Sequence, residues 1–425
     1  MGNAVTRHYD VVVVGGGPAG WPAAVQSARL GARTLLVEKN GALGGTTTVA
    51  GVALPGLYHA WGKQVIGGIG WDAVRDSAER AGIPLPDFTA WDQPHYRLQV
   101  PVNPAVLAAV IDEFVASAGV DLLLHTMFAT VVRQRDRWRV TLCAKEGLVE
   151  VTAACLVDCT GDADVVARAG FTRLVNEKRQ PGTLMVRFGG YDNDALDHPA
   201  LRSAYEAAVA DGSLLPEDLA GGSDPVAAFL RTGGENRIHI NGATSGTSGE
   251  RTAAEVAGRR AMMRIFRFFR QQPGLHDLTI QRWAVECGIR ESYTIDGLAR
   301  ITAADYTSGR VWPDALSYSF YPIDVHDPDG DGIDIRPLRH GVVPTIPRAA
   351  MIPRGATNLI VAGRSVSGDQ EANSAYRVQA SCMAMGQAAG VNAALAAQHD
   401  RDLLEVGVAE IRSTLREQGA IVPGD

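Results

Sequence analysis

The chain has 425 residues, 46% hydrophobic and 20% charged, with 47 glycines and a formal net charge of −7. That length exceeds one ordinary core and predicts two domains, and the glycine content suits an α/β protein with many close backbone turns. The acidic balance excludes a nucleic-acid partner, which needs a concentrated basic surface; the arginine-rich runs 133–139 and 259–270 alternate with apolar residues and read as solvated faces.

Five cysteines (Cys143, Cys155, Cys159, Cys287, Cys382) form no C-x-x-C pair and no disulfide framework, which fits a reduced, cytoplasmic setting. No Cys/His cluster has metal-ligand spacing, so no metal is expected. The first apolar run, 11–14, is only a strand long, not a secretory leader. Met1-Gly2 with Thr6 formally fits a myristoylation pattern but reads as an ordinary chain start.

In chain order, 8–14 is a β-branched run buried on both faces, in the manner of a parallel strand. Residues 18–30 are Ala-rich and helical, with Pro22 tolerated near the first turn and Gly31 as the stop. Residues 34–37 return as a parallel strand, and 41–70 is a Gly/Thr/Pro-rich aperiodic stretch of the kind that lines a site. A helix over 103–118 precedes four strand-like runs, 121–124, 129–133, 137–144 and 148–157, read together as a small meander. A new region starts at 182–192 and mixes helices with Tyr- and Thr-rich strands as far as His340. Within it, Asp327-x-Asp329-x-Asp331-Gly332 imitates a calcium loop, but Leu338 stands where the bidentate Glu belongs, so it reads as a polar turn. The last buried strand is 358–362, and the helix after it runs to Ala397; Gln379, Ser381, Gln387 and Asn392 interrupt its small-residue run, so a buried helix is expected and no membrane span.

The motif with the most chemistry is Gly15-x-Gly17-x-x-Gly20. It follows a strand and opens a helix, and Glu38 closes the next strand. Gly15 permits the tight turn, Gly17 lets a pyrophosphate approach the backbone, and Gly20 lets the helix pack on the strand. The helix N-terminus faces the phosphate charge, and Glu38 accepts from ribose hydroxyls. These residues do not choose between FAD and NAD.

Beyond that motif, several segments resemble the FAD-dependent oxidoreductases of the glutathione-reductase-like superfamily over almost the whole chain. They are VVVVGGGPAG with Glu38, Gly44-Gly45 with the threonines that follow, CTGDAD at 159–164, GIRES at 288–292, YPIDVHDPDG at 321–330, and NLIVAGRSVSGDQEANSAYRVQASCMAMGQAAG at 358–390. The resemblance implies an α/β fold: a Rossmann-type FAD-binding domain with a small β-meander (1–185 and 345–425) and an inserted α+β substrate domain (186–344). It implies FAD contacts at Gly15, Gly17, Pro18, Ala19, Gly20, Glu38, Lys39, Gly44, Gly45, Thr46, Thr47, Thr160, Gly161, Asp162, Gly363, Arg364, Arg377 and Val378. Arg364 departs from the wider superfamily, where an Asp is common, and is expected to ion-pair with the pyrophosphate.

No second nucleotide motif and no dithiol pair occur, so flavin is expected to exchange hydride directly with a small-molecule substrate at a C–H beside nitrogen or oxygen. Reduction of an activated double bond by an external reductant, and non-net-redox work with an auxiliary flavin, stay open, as does a homo-oligomer. Candidates for orienting substrate and handling protons are His59, Arg290, Tyr293, Tyr321, His326, His340, Tyr376 and Arg377, with His59, Arg290, Tyr376 and Arg377 favoured. Arg290 either clamps a substrate carboxylate or pairs with Glu286 or another carboxylate.

Overall fold

The computed structural model describes residues 7–219, 222–327 and 332–424. Gly2, Thr6, Asp329 and Asp331, which carry the myristoylation and calcium-loop patterns, lie outside them.

Strand β1 (Arg7–Val14) buries its four valines, helix α1 (Gly20–Arg29) follows, and β2 (Thr34–Val37) returns parallel to β1, with Val12 opposite Leu35. Helix α2 (Pro104–Ser117) starts at Asn103, whose side chain accepts from the Ala105 and Val106 amides, and Pro104 occupies the first turn, where a missing N–H costs nothing. The chain emerges as β3 (Asp121–Leu123), which pairs parallel with β2, Leu36 opposite Leu122. Sequence reading had put this segment in the meander. A crossover helix before it returns the chain parallel, so it extends the Rossmann edge instead.

The meander itself is β4 (Met127–Gln134), β5 (Arg137–Ala144) and β6 (Gly147–Asp158). β6 serves two sheets' worth of pairing: its first half is antiparallel to β5, while residues 151–158 run parallel to β1.

The chain then leaves this sheet. Strands β7 (Gly182–Leu184) and β8 (Val186–Gly189) pair antiparallel with β9 (Ile238–Ile240) and β10 (Thr279–Trp283), respectively. Between β9 and β10 lies the 23-residue helix α3 (Ser248–Arg270), opened by a Thr247/Glu250 capping box. Its buried stripe, including Ala254, Ala261, Ile265 and Phe269, joins Phe188 and Phe229 in a core separate from the main one. That second core runs from Leu184 to Ile289, whereas Ile301, Tyr306, Leu316 and Ile323 pack in the main core. Strand β11 (Ile323–His326) belongs to this returning part.

Strand β12 (Leu359–Val361) re-enters the sheet parallel to β6, with Ile360 opposite Val157. Helix α4 (Gln370–Tyr376) follows and, after Arg377 and Val378, helix α5 (Gln379–Gln398). Among the described residues the main sheet holds seven strands, and the protein is α/β with a parallel-rich Rossmann-type core. The small-residue run is α5, buried against α1, and no described helix is long and apolar enough to cross a membrane.

α5 meets α1 backbone to backbone. A Cβ at Gly386 would stand 2.0 Å from the Ala19 carbonyl oxygen, and one at Gly390 2.4 Å from that of Ala23. Backbone cannot yield as a side chain can, so Gly386→Ala should push the helices apart and cost about 1–3 kcal/mol. Thermal unfolding checks this: a Tm several degrees lower is expected, and an unchanged Tm contradicts the close contact.

Candidate FAD and substrate site

The cradle forms where β1 ends. Gly15 has φ +98°, and its N–H donates to the Val37 carbonyl at 2.8 Å. A Cβ there would lie 2.4 Å from the Cys159 carbonyl oxygen, and one at Gly20 would lie 1.7 Å from that of Gly15. At Gly17 an added Cβ meets nothing within 4 Å. Packing thus requires the first and third glycines, while the second borders open space. No side chain caps α1, so its positive end is left to a ligand.

The 44–45 turn closes the other side. Gly44 (φ +101°) donates its N–H to the Gly16 carbonyl at 2.8 Å. A Cβ at Gly45 would approach the Gly17 Cα to 2.9 Å, so the two loops abut. The Thr47 hydroxyl donates to Gln379 Oε1 in the first turn of α5, and the Thr46 carbonyl accepts from Val52 N at 3.0 Å. Glu38 is buried; Oε2 accepts from Gly16 N at 2.7 Å and Oε1 from Asn40 N at 2.8 Å. Those two backbone bonds hold the carboxylate beside the cradle and leave lone pairs for ribose hydroxyls. Pro18 and Ala19 line the same turn, and Ala19 also touches the space a Gly363 Cβ would fill, at 3.3 Å. Lys39 instead pairs with Glu286, which also holds Arg251 at 2.9 Å, tying the cradle to the inserted region. A bare pyrophosphate path over Gly17, a helix N-terminus without a side-chain cap and a fixed ribose acceptor together fit FAD.

A third loop follows β6. Asp158 accepts from Thr160 N (3.0 Å), Thr160 Oγ1 (2.7 Å) and Val166 N (3.1 Å), which shapes the Thr160–Gly161–Asp162 turn. Arg364 departs from expectation here. Its three nitrogens donate to Gly161 O (2.6 Å), Ile289 O (2.6 Å) and Asp162 Oδ1 (2.7 Å), so it clamps this turn to the GIRES segment rather than reaching for a pyrophosphate. Ser292 Oγ adds a bond to Gly161 O at 3.0 Å. Burial raises the Asp162 carboxyl's pKa, but the Arg364 charge and the Ser245 and Ser292 hydroxyls outweigh it, leaving the group below the usual range. Asp164 is pushed up to about 6 by burial and then by the charges of Asp162 and Asp158.

The fourth feature is a cluster drawn from six separate parts of the chain. Arg290 donates to Pro181 O at 2.8 Å, to Thr183 Oγ1 and to Asn236 Oδ1 at 2.9 Å, and lies 3.5 Å from His239 Nε2. Arg377 Nη2 donates to Gln180 Oε1 at 3.2 Å, an oxygen that also accepts from the His326 amide at 3.1 Å. The rings of His239 and His326 stand 5.2 Å apart, edge to face. Tyr321 OH accepts from Gln99 Nε2 at 2.9 Å. The expected alternative of an Arg290–Glu286 pair does not form, because Glu286 is taken by Lys39 and Arg251. Both histidines are held neutral: burial and then the Arg290 and Arg237 charges push His239 down to about 3, and burial, Arg290, His239 and Arg377 push His326 further. An arginine only donates, so His239 Nε2 must accept and its proton sits on Nδ1.

Arg290, Tyr321, His326 and Arg377 therefore come together, while other candidates stand elsewhere. Tyr376 is fully buried, and its hydroxyl donates to the Val366 carbonyl at 2.8 Å. His59 follows a segment that touches the head of α5, where Ala380 N donates to Pro55 O at 2.8 Å. Its ring, however, stacks on Phe88 (3.7 Å between centroids) and meets Trp71 edge-on. Burial pushes it down to about 4. Tyr293 lies under Arg173, with 3.9 Å from guanidinium to ring, and His340 is exposed beside Trp61 and Trp91. Sequence reading missed Gln180, Thr183, Asn236 and His239, whose alignment depends on the β7–β9 register (Thr183 opposite His239). All five cysteines are free, and burial raises the thiols of Cys155, Cys159, Cys287 and Cys382. Among the described residues no group of three or more His, Cys, Asp and Glu is placed to hold a metal ion.

Residues 10–415 match the FAD dependent oxidoreductase family, and the chain belongs to it. Its cofactor is FAD and it is an oxidoreductase. Among curated proteins, a dihydrolipoyl dehydrogenase of Trypanosoma brucei brucei is 57% identical over 53 residues, 12% of this chain and 11% of that protein. A soluble pyridine nucleotide transhydrogenase of Marinomonas sp. (strain MWYL1) is 46% identical over 62 residues, 14% of this chain and 13% of that protein. The chain thus spans only about a tenth of the length of the curated relatives it matches. Among solved structures, a geranylgeranyl bacteriochlorophyll reductase-like protein of Thermoplasma acidophilum is 14% identical with a TM-score of 0.45, covering 97% of this chain and 84% of that one. An anhydrotetracycline hydroxylase from Streptomyces rimosus is 14% identical with a TM-score of 0.41, covering 97% and 68%.

The open space over Gly17 yields a sharp expectation. Gly17→Ala should leave the apoprotein's Tm within about 2 °C while weakening FAD binding at least about tenfold, near 1.4 kcal/mol. Fluorescence titration of apoprotein with FAD measures it; an unchanged Kd contradicts the pyrophosphate path.

Proposed function

We propose that the protein transfers hydride between flavin N5 and a small-molecule substrate at a C–H beside nitrogen or oxygen. FAD, when bound, supplies the hydride acceptor or donor. Gly15, Gly17, Pro18, Ala19 and Gly20, with Gly44, Gly45, Thr46 and Thr47, would hold its pyrophosphate side, Glu38 its ribose, and Thr160–Asp162, Gly363 and Val378 the remaining length. The observation that carries the substrate side is the Arg290–Arg377 cluster, half-buried at the junction that leads into α5 and docked through Ile289 and Ser292 onto the Gly161 turn. In this reading the two arginines orient the substrate. Neutral His326, whose Nδ1 is buried without a partner, accepts or returns the proton there. Tyr376 positions the chain before Arg377 through its Val366 bond, and the unit with its own core, 184–289, forms the substrate-side wall.

Anaerobic bleaching of the flavin by a panel of amines, hydroxy acids and sugars tests this. At least one compound should bleach the holoenzyme, and His326→Gln, with FAD retained, should slow that bleaching about 100-fold. No bleaching by any compound, alongside rapid reduction by NADH or NADPH, overturns the reading in favour of double-bond reduction.

A further inference from the structure

Burying a cation is costly unless an opposite charge meets it. Arg290 and Arg377 are both half-buried, and among the described residues neither has a carboxylate within hydrogen-bonding distance. The acceptors are neutral: a carbonyl, a hydroxyl and an amide for Arg290, an amide and the Asp324 carbonyl (3.5 Å) for Arg377. Arg377 Nε is buried with no partner at all.

Neither nearby acid pairs with these arginines. Glu291 accepts from Asn176 Nδ2 (2.6 Å), Gln180 N (3.2 Å) and Gln370 Nε2 (2.8 Å), while Asp324 Oδ1 lies 3.6 Å from His326 Nε2. Burial and then the neighbouring Arg377 charge hold Arg290 below the ordinary guanidinium range, as expected of a cation without a contacting anion. Among the described residues Arg377 keeps its Nε and Nη1 N–H groups and Arg290 its Nε–H, and the two, joined through Gln180-Pro181, together offer hydrogen bonds to a planar anion.

From this we infer that the substrate carries a carboxylate, received by Arg290 and Arg377. The inference rests on the hydride-transfer reading only in calling that ligand the substrate. Arg290 and Arg377 bring two positive charges, and Asp324 and Glu291 act on them from beyond hydrogen-bonding distance, so one added negative charge fits the cluster better than the two of a phosphate monoester. Placed this way, the carboxylate satisfies Arg377 Nε, with His326 beside the two arginines in the same cluster.

The test reads binding without turnover, so it can fail independently of hydride transfer. Oxidised holoenzyme is titrated with acetate, glycolate and benzoate, with their amides, and with methyl phosphate. Displacement of the flavin absorption bands and calorimetry serve as readouts. At least one carboxylate should bind, at least tenfold more tightly than its amide and than methyl phosphate. Arg290→Met and Arg377→Met should each weaken it at least tenfold, with partial recovery in the Lys variants. Binding of none of the acids, equal binding of acid and amide, tighter binding of methyl phosphate, or unchanged binding in the Met variants overturns the inference. Should a Met variant lose FAD or fold, the acid-to-amide ratio in the unaltered holoenzyme decides.

Discussion

Backbone-to-backbone contact along helix α1 is the constraint on which the rest depends. Its start presses against the Gly15 carbonyl through Gly20, and its outer side receives Gly386 and Gly390 of α5 against the Ala19 and Ala23 carbonyls. No residue larger than glycine fits these places without moving main chain. Because α1 is held from both sides, two segments more than 350 residues apart in sequence are fixed at one place: the Gly15–Gly20 turn and the head of α5. Thr47 then bonds Gln379 across that join, so the second glycine turn is drawn into the same assembly.

Electrostatics takes over where glycine packing ends. Arg364 lies between Gly161, Asp162 and Ile289, and so ties the turn after β6 to the segment that presents Arg290. A superfamily position usually given to a cofactor-contacting acid has become an internal clamp. Its consequence is positional: the polar cluster around Arg290 is anchored to the Gly161 turn and shares its geometry. The histidines inside it are neutral because burial and neighbouring guanidiniums oppose a further proton.

How far the sequence revealed this depended on the range of the interaction. The Rossmann turn was legible because its chemistry is local: Gly15, Gly17, Gly20 and Glu38 lie within one strand–helix–strand unit. Helix α2 was legible from Asn103-Pro104, a capping pair that works through adjacent amides. Strand β3 was misplaced because a short apolar run carries no mark of its pairing partner. The fate of Arg364 was hidden for a similar reason, since its acceptors come from 161–162 and 289. Arg290 stood out as a candidate carboxylate clamp and Arg377 by its place at the head of the last helix, but their meeting through Gln180-Pro181 needed the fold. His239 had no mark at all beyond being a histidine in a strand-like run.

The central claim is that the two glycine turns, Glu38 and the head of α5 together hold FAD without a covalent bond. Denaturing the purified, FAD-reconstituted protein and identifying the released flavin tests it most directly. The account predicts close to one FAD per chain in the supernatant. A chain that takes up no FAD, or one that keeps its flavin attached after denaturation, would contradict it.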